Sequence, residues 1–147
     1  MPDTFALDPI YTYKMVVHTV PEVVVDNIKL IPGKHNTIVA QTPQGILKLS
    51  TQGSNSQFTG INVIVRKDNE YKTINIHKMN SEKEYLLGKY DLEMLTLPRI
   101  YFEDVEIKQS KTTEITIPLY GSVQISKGNG PASLFLKEKG QNIWSVS

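Results

Sequence analysis

The chain matches itself. When the sequence is slid by 77 residues, Tyr13 meets Tyr90, Met15 meets Leu92, Val17 meets Met94, Thr19 meets Thr96, and Val20-Pro21 meets Leu97-Pro98. The register continues with Val23 and Val25 against Ile100 and Phe102, and Ile28 and Leu30 against Val105 and Ile107. Lys34, Ile38 and Ala40 then meet Lys111, Ile115 and Ile117. After one deleted residue the match resumes at an offset of 76, with Gly45, Leu47, Leu49 and Ser50 against Gly121, Val123, Ile125 and Ser126. A looser stretch places Val63 and Val65 against Leu134 and Leu136. Matches fall on alternate apolar positions, a Pro and a Gly. Mismatches fall on the other face, as with Lys14 against Asp91. Two copies of one fold diverge in this way, because the core constrains substitution and the solvated surface does not.

Within each copy the apolar period is two, which is the period of a strand with one buried face. In the segment from Tyr11 to His18, Tyr11, Tyr13, Met15 and Val17 share one face, while Thr12, Lys14, Val16 and His18 share the other. Strands are expected at Val23–Val25, Ile28–Ile31, Thr37–Ala40, Ile46–Leu49, Ile61–Arg66, Lys72–His77, Lys89–Leu97 and Ile100–Phe102. Further strands are expected at Val105–Ile107, Glu114–Ile117, Ser122–Ile125, Ser133–Lys137 and Ile143–Val146. Turn residues separate them at Pro32-Gly33, Pro43-Gln44-Gly45, Lys67-Asp68-Asn69, Gly128-Asn129-Gly130-Pro131 and Lys139-Gly140. Apolar parity switches across Asp26-Asn27 in the first copy and across Glu103-Asp104 in the second. A parity switch requires a bulge or a crossing between sheets. Only Ser81–Gly88, with the capping spacing Ser81-Glu82-Lys83-Glu84, competes as a short helix, a 3₁₀ turn or a loop.

Roughly seven short strands per repeat, with turns every 8–12 residues or so, predict an all-β, immunoglobulin-like or transthyretin-like β-sandwich. The Pro/Gly joints place module boundaries at residues 43/44 and 118/119. Residues 44–118 then form a complete sandwich module. Residues 1–43 are the second half of one module and residues 119–147 the first half of another. The two halves are expected to pair with each other, within one chain or between chains, because unpaired they leave open apolar edges.

Composition narrows the functional classes. Sixteen basic and 15 acidic residues are interspersed to a net charge of +1, which gives no basic stripe of the kind nucleic-acid binders carry. No apolar run reaches roughly the 18 residues needed for a membrane span, so membrane insertion is not expected. Cysteine is absent, which excludes disulfides, thiolate metal sites and thiol nucleophiles.

No residue pattern points to catalysis. His18, His35 and His77 lack any paired spacing for zinc and are expected at the surface. Asp68-Asn69-Glu70 lacks the Gly-centred alternation of a calcium loop and reads as a hairpin turn. Glu82 and Glu84 read as a solvated turn rather than a glycosidase pair. Nucleophile elbows and phosphate loops are missing. Asp26-Asn27 and Glu103-Asp104 recur in both copies and are assigned to the bulge, with side-chain hydrogen bonds to free amides. Tyr13 and Tyr90 are assigned to the core. Trp144, set against Lys72 in the repeat, either stacks on a sugar or awaits cover from a following module. The sequence therefore yields no catalytic, cofactor-binding or metal residue, and the chain is expected to be non-enzymatic.

Two resemblances add to this. Gly88-Lys89-Tyr90-Asp91-Leu92-Glu93-Met94, followed by Pro98, Val105-Glu106-Ile107 and Thr112 to Pro118, resembles carboxypeptidase-regulatory or transthyretin-like sandwich modules. Tyr90 to Ile100 and Ile31 to Ile38 are similar to the C-terminal β-repeat region of bacterial von Willebrand factor type A (vWA) domain proteins. The Asp-x-Ser-x-Ser metal motif of the vWA domain occurs nowhere in this chain, so no metal residue carries over. The second resemblance implies an extracytoplasmic accessory region of a larger envelope or secreted protein. It would contact neighbouring domains or a protein partner. A carbohydrate- or cell-wall-binding module, with a polysaccharide as partner, is the alternative.

Overall fold

The computed structural model describes residues 4–53, 60–96, 98–118, 126, 130–131, 133–138 and 141–146. The expected strand Ser122–Ile125, the Lys139-Gly140 turn and Leu97 lie outside the described residues. The described chain is all-β, with β1 (Thr12–Val17), β2 (Val23–Lys29), β3 (Gln44–Thr51), β4 (Asn62–Lys67), β5 (Thr73–Lys78) and β6 (Ser81–Leu86). Then come β7 (Gly88–Met94), β8 (Ile100–Ile107), β9 (Thr112–Ile117), β10 (Leu134–Glu138) and β11 (Gln141–Val146).

Strands β3 to β9 build two sheets. One is three-stranded in the order β6-β3-β9, and the other is four-stranded in the order β5-β4-β7-β8. They face each other across one core, a β-sandwich. The first sheet contributes Leu47, Leu49, Tyr85 and Ile117, and the second contributes Val63, Val65, Tyr90, Leu92, Met94 and Ile107. Burying each large apolar side chain contributes about 1.5–3 kcal/mol. Alternation produces this division, since every second residue of a strand faces inward. β3 runs antiparallel to β6 but parallel to β9, with Ile46 beside Thr112 and Thr51 beside Ile117.

Gly45 is fixed by proximity. A Cβ there would lie 2.2 Å from the Lys108 carbonyl oxygen and 2.9 Å from Ile107 Cγ2. Asn69, Asn80 and Ser110 take left-handed backbone at the turns, a region Asn tolerates better than most residues. Asn80 also ties its turn to β3, its Oδ1 accepting from the Thr51 amide at 3.0 Å.

Four expectations need correction. Ser81–Gly88 is neither helix nor loop. Ser81–Leu86 is strand β6, paired with β3 from Leu49↔Ser81 to Gln44↔Leu86, and sheet pairing with Tyr85 buried overrides the local capping signal. Thr37–Ala40 forms no strand, since no neighbouring strand pairs with it among the described residues. The two pieces expected on either side of each acidic pair are single continuous strands, β2 and β8, each carrying a bulge. His77 is not at the surface, being only 2 % exposed. Its strand has an irregularity between Thr73 and Asn75, which makes Ile74 an extra residue. Parity then reverses, so His77 points inward and Ile76 outward.

The remaining described strands form two separate two-stranded sheets, β1-β2 and β10-β11. β1–β2 has the same pairing as β7–β8. Tyr13↔Ile28, Met15↔Val25 and Val17↔Val23 correspond to Tyr90↔Val105, Leu92↔Phe102 and Met94↔Ile100. Each register breaks once, between Tyr13 and Met15 and between Tyr90 and Leu92. Opposite those breaks, Asn27 and Asp104 have φ of 55° and 57°. The amides of Thr19 and Thr96 donate to Val17 and Met94, and their hydroxyls donate to the carbonyls of Pro21 and Pro98. β10–β11 likewise follows β4–β5, with Leu134↔Val146 and Leu136↔Trp144 for Val63↔His77 and Val65↔Asn75 and an irregularity at the next pair in both. This register sets Trp144 against Asn75, not against Lys72.

Candidate interaction surface

Hairpins β1–β2 and β7–β8 share their pairing but differ in burial. Tyr90, Leu92 and Met94 are 1–2 % exposed, whereas Tyr13, Met15 and Val17 are only half-buried. Tyr13, assigned to the core from the sequence, is thus not enclosed, and its hydroxyl donates to the Asp8 carbonyl at 2.8 Å. A cavity of about 520 Å³ opens over this face, lined by Phe5, Leu7, Met15, Leu30, Ile31 and Ile38 among others. The hairpin is anchored at its tip, where Val20 packs on the core and its carbonyl accepts from the Leu86 amide at 2.8 Å.

The bulges explain the recurring acidic pairs, with one difference between them. In β2 the Asn27 amide donates to Asp26 Oδ1 at 2.8 Å. In β8 the Asp104 amide donates across the hairpin to Asp91 Oδ1 at 3.2 Å, so Glu103 does not play the part of Asp26.

Two polar clusters lie in the sandwich. His77 Nε2 lies 3.1 Å from the Ser81 carbonyl, which only accepts, so Nε2 carries the proton. Nδ1 then accepts from Tyr85 Oη at 3.0 Å, and Asn75 Nδ2 donates to Tyr85 Oη at 2.6 Å. Lys83 Nζ closes the chain on Asn75 Oδ1 at 3.2 Å. Burial lowers the His77 pKa and pushes Tyr85 up to about 12. The polar groups of the cluster are satisfied by one another, as burial requires.

On the outer face of β7, Glu93 is 5 % exposed beneath Arg66, whose Nη2 lies at 2.7 Å, and Arg99. The hydrogen bond from Arg66 is the main cause holding its carboxyl below the usual range. A groove of about 290 Å³ runs alongside, lined by Tyr71, Tyr101, Arg66, Asp91 and Glu103 among others. Its two tyrosines are 99 % and 60 % exposed.

His18 is exposed, its Nδ1 2.9 Å from Glu22. His35 is exposed in the loop after β2, and Asp68 and Asn69 form the β4–β5 turn. Glu82 and Glu84 are exposed on β6. No group of three or more His, Cys, Asp or Glu residues able to hold a metal occurs among the described residues. Trp144 belongs to β11, and its side chain is outside the described part. The aromatic pair Tyr71 and Tyr101 escaped the sequence reading, because one lies in a turn and the other on a strand 30 residues away. No helix among the described residues is long and apolar enough to cross a membrane.

No protein-family model matches the chain, and no curated protein or solved structure shows a significant match to it.

Proposed function

We propose that this chain is a non-catalytic interaction module, the accessory part of a larger extracytoplasmic protein such as one carrying a vWA domain. One observation carries the reading. The β1–β2 hairpin has the strand register of a core hairpin, yet its apolar face is half-exposed and bordered by an open cavity. An apolar face left partly open in this way marks a site of interaction. Its test is Met15→Lys beside Leu92→Lys, compared by thermal unfolding at low micromolar concentration. The expected result is a melting temperature close to the parent for Met15→Lys and loss of the fold for Leu92→Lys. An equal loss in both would make the β1–β2 face internal core and end the reading.

A second reading takes the groove between Tyr71 and Tyr101 as a polysaccharide site. Exposed aromatic rings bordered by carboxylates and an Arg supply stacking faces and hydrogen-bond partners for a sugar. Depletion of the protein by insoluble cell-wall polysaccharide, abolished by Tyr71→Ala with Tyr101→Ala, would establish it. Depletion unaffected by those changes, or altered only by Trp144→Ala, would move the site elsewhere.

A further inference from the structure

The sandwich built by β3 to β9 is a template for what covers β1–β2. In it, β7 pairs with β4 through Met94↔Val63, Glu93↔Ile64 and Leu92↔Val65. β1 copies β7 and β10 copies β4 in register. Transferring the pairing places Val17 opposite Leu134, Val16 opposite Phe135 and Met15 opposite Leu136. Phe135 and Val16 are 48 % and 36 % exposed.

The cavity beside Met15 fits the same template. In the three-stranded sheet, β3 lies between β6 and β9 with Leu47 and Leu49 turned to the core. Residues 4–9 stand 77 positions before β6 and residues 35–40 stand 77 before β9. Parts of both stretches line the cavity, with Met15 beside them. A strand equivalent to β3 is what such a slot lacks, and Gly121-Ser122-Val123-Gln124-Ile125 carries that pattern in sequence. The absence of a strand at Thr37–Ala40 has the same cause, since its counterpart β9 pairs with β3. In pairing and register, the N-terminal part of the chain thus supplies counterparts of β7 and β8, and the C-terminal part supplies those of β4 and β5.

Among the described residues β1–β2 and β10–β11 do not pair within one chain, which points to a second copy as the donor. β3 and β9 run parallel, so the chain enters the sandwich at one end and leaves at the other, about 26 Å away for eight residues at about 3.3 Å each. The β1–β2 tip is held at the entering end, where Leu86 binds Val20 and pairs with Gln44. The two hairpins occupy separate sheets. We propose that the C-terminal part of a second copy of this chain covers the N-terminal part of the first, its β10 pairing with β1 as β4 pairs with β7. The contact joins unlike surfaces, so it closes as a reciprocally exchanged dimer or a ring, or runs on head to tail as an open chain. The proposal rests on the interaction-module reading and names the partner.

The absence of cysteine allows a direct test. Val16→Cys and Phe135→Cys place thiols at an adjacent cross-strand position, within disulfide reach. Mixing the two single variants under mild oxidation should give a disulfide-linked heterodimer, and the double variant should give linked dimers or longer linked chains. Val24→Cys on the neighbouring strand β2 should not cross-link to Phe135→Cys. An internal disulfide in a monomeric double variant, no cross-link, or equal cross-linking through Val24→Cys would each overturn the proposal. A second variant needs no cysteine. The transferred register sets Lys14 opposite Lys137, where the sandwich sets Asp91 opposite Arg66. Lys14→Asp should tighten self-association about fivefold in sedimentation experiments, and unchanged or weaker association would overturn the register. If these tests fail while Met15→Lys still leaves the melting temperature alone, the face remains an interface and the partner is a different protein.

Discussion

His77 stacks on Tyr85 with ring centroids 5.9 Å apart, and its Nδ1 accepts the Tyr85 hydroxyl proton across 3.0 Å. Both nitrogens are committed in the neutral ring, one as donor to Ser81 and one as acceptor. Protonation would turn Nδ1 into a donor facing a hydroxyl that must then accept twice, in a site shielded from water. Burial accordingly depresses the folded pKa below the usual value of 6.5. A depressed pKa means the unfolded chain binds the proton first. The stabilisation is full above about pH 6.5 and is lost as pH falls through the lowered folded value. Urea midpoints measured downward from neutral pH should therefore begin to fall near pH 6.5. His77→Phe should be less stable at neutral pH but flat across that window, and an unchanged slope would assign the effect to other groups.

Gly45→Ala should destabilise the sandwich by about 2–3 kcal/mol. The added methyl would meet the Lys108 carbonyl oxygen, which is backbone and cannot swing aside. Equilibrium urea unfolding measures the loss. A loss under about 0.5 kcal/mol, the range of an ordinary surface change, would mean that β3 shifts against β8 at little cost.

Much of this all-β fold was legible in the sequence because the strand period of two runs along most of the chain. Tyr90, Leu92 and Met94 alternate in sequence and alternate into the core. The parity switches at Asp26-Asn27 and Glu103-Asp104 located both bulges, and the structure selects a bulge over a sheet crossing. What the sequence hid follows from long-range pairing. β6 exists because β3 and Tyr85 hold it, and neither is visible in the local run Ser81-Glu82-Lys83-Glu84. His77 was misplaced because one extra residue at Ile74 reverses its strand's faces. The half-buried state of Tyr13, beside the full burial of Tyr90, could not be read from two identical letters.

The left-handed bulge residue Asp104 offers a paired test. Glycine enters that region without a Cβ penalty, while a β-branched side chain is strained there by about 1–2 kcal/mol. Asp104→Gly should stay within about 0.5 kcal/mol of the parent, since its bridge to Lys89 is solvent-exposed. Asp104→Val should lose about 1–2 kcal/mol. The same two changes at Asn27 should hardly alter the melting temperature, because β1–β2 is not part of the sandwich core. A drop at Asn27 equal to that at Asp104 would contradict the proposed open hairpin.

Glu93 sets a second and lower acid window. Its carboxylate is nearly covered and accepts from Arg66 and Arg99, so its folded pKa lies below the unfolded value of about 4.5. For a lowered carboxylate pKa the stabilisation is present above the unfolded value and disappears as pH falls through the folded one. Glu93→Gln keeps the shape but gives up charge-assisted bonds, at a cost of about 2 kcal/mol near neutrality. The parent and Glu93→Gln should differ by that amount down to about pH 4.5 and converge in stronger acid. His77 has by then already contributed its loss, beginning nearer pH 6.5, so the parent's acid unfolding should show two successive declines in stability. In Glu93→Gln only the upper one should remain. Persistence of the lower decline in Glu93→Gln would shift its origin to an exposed carboxylate such as Glu114, which Lys48 and Ser50 also hold below its usual range.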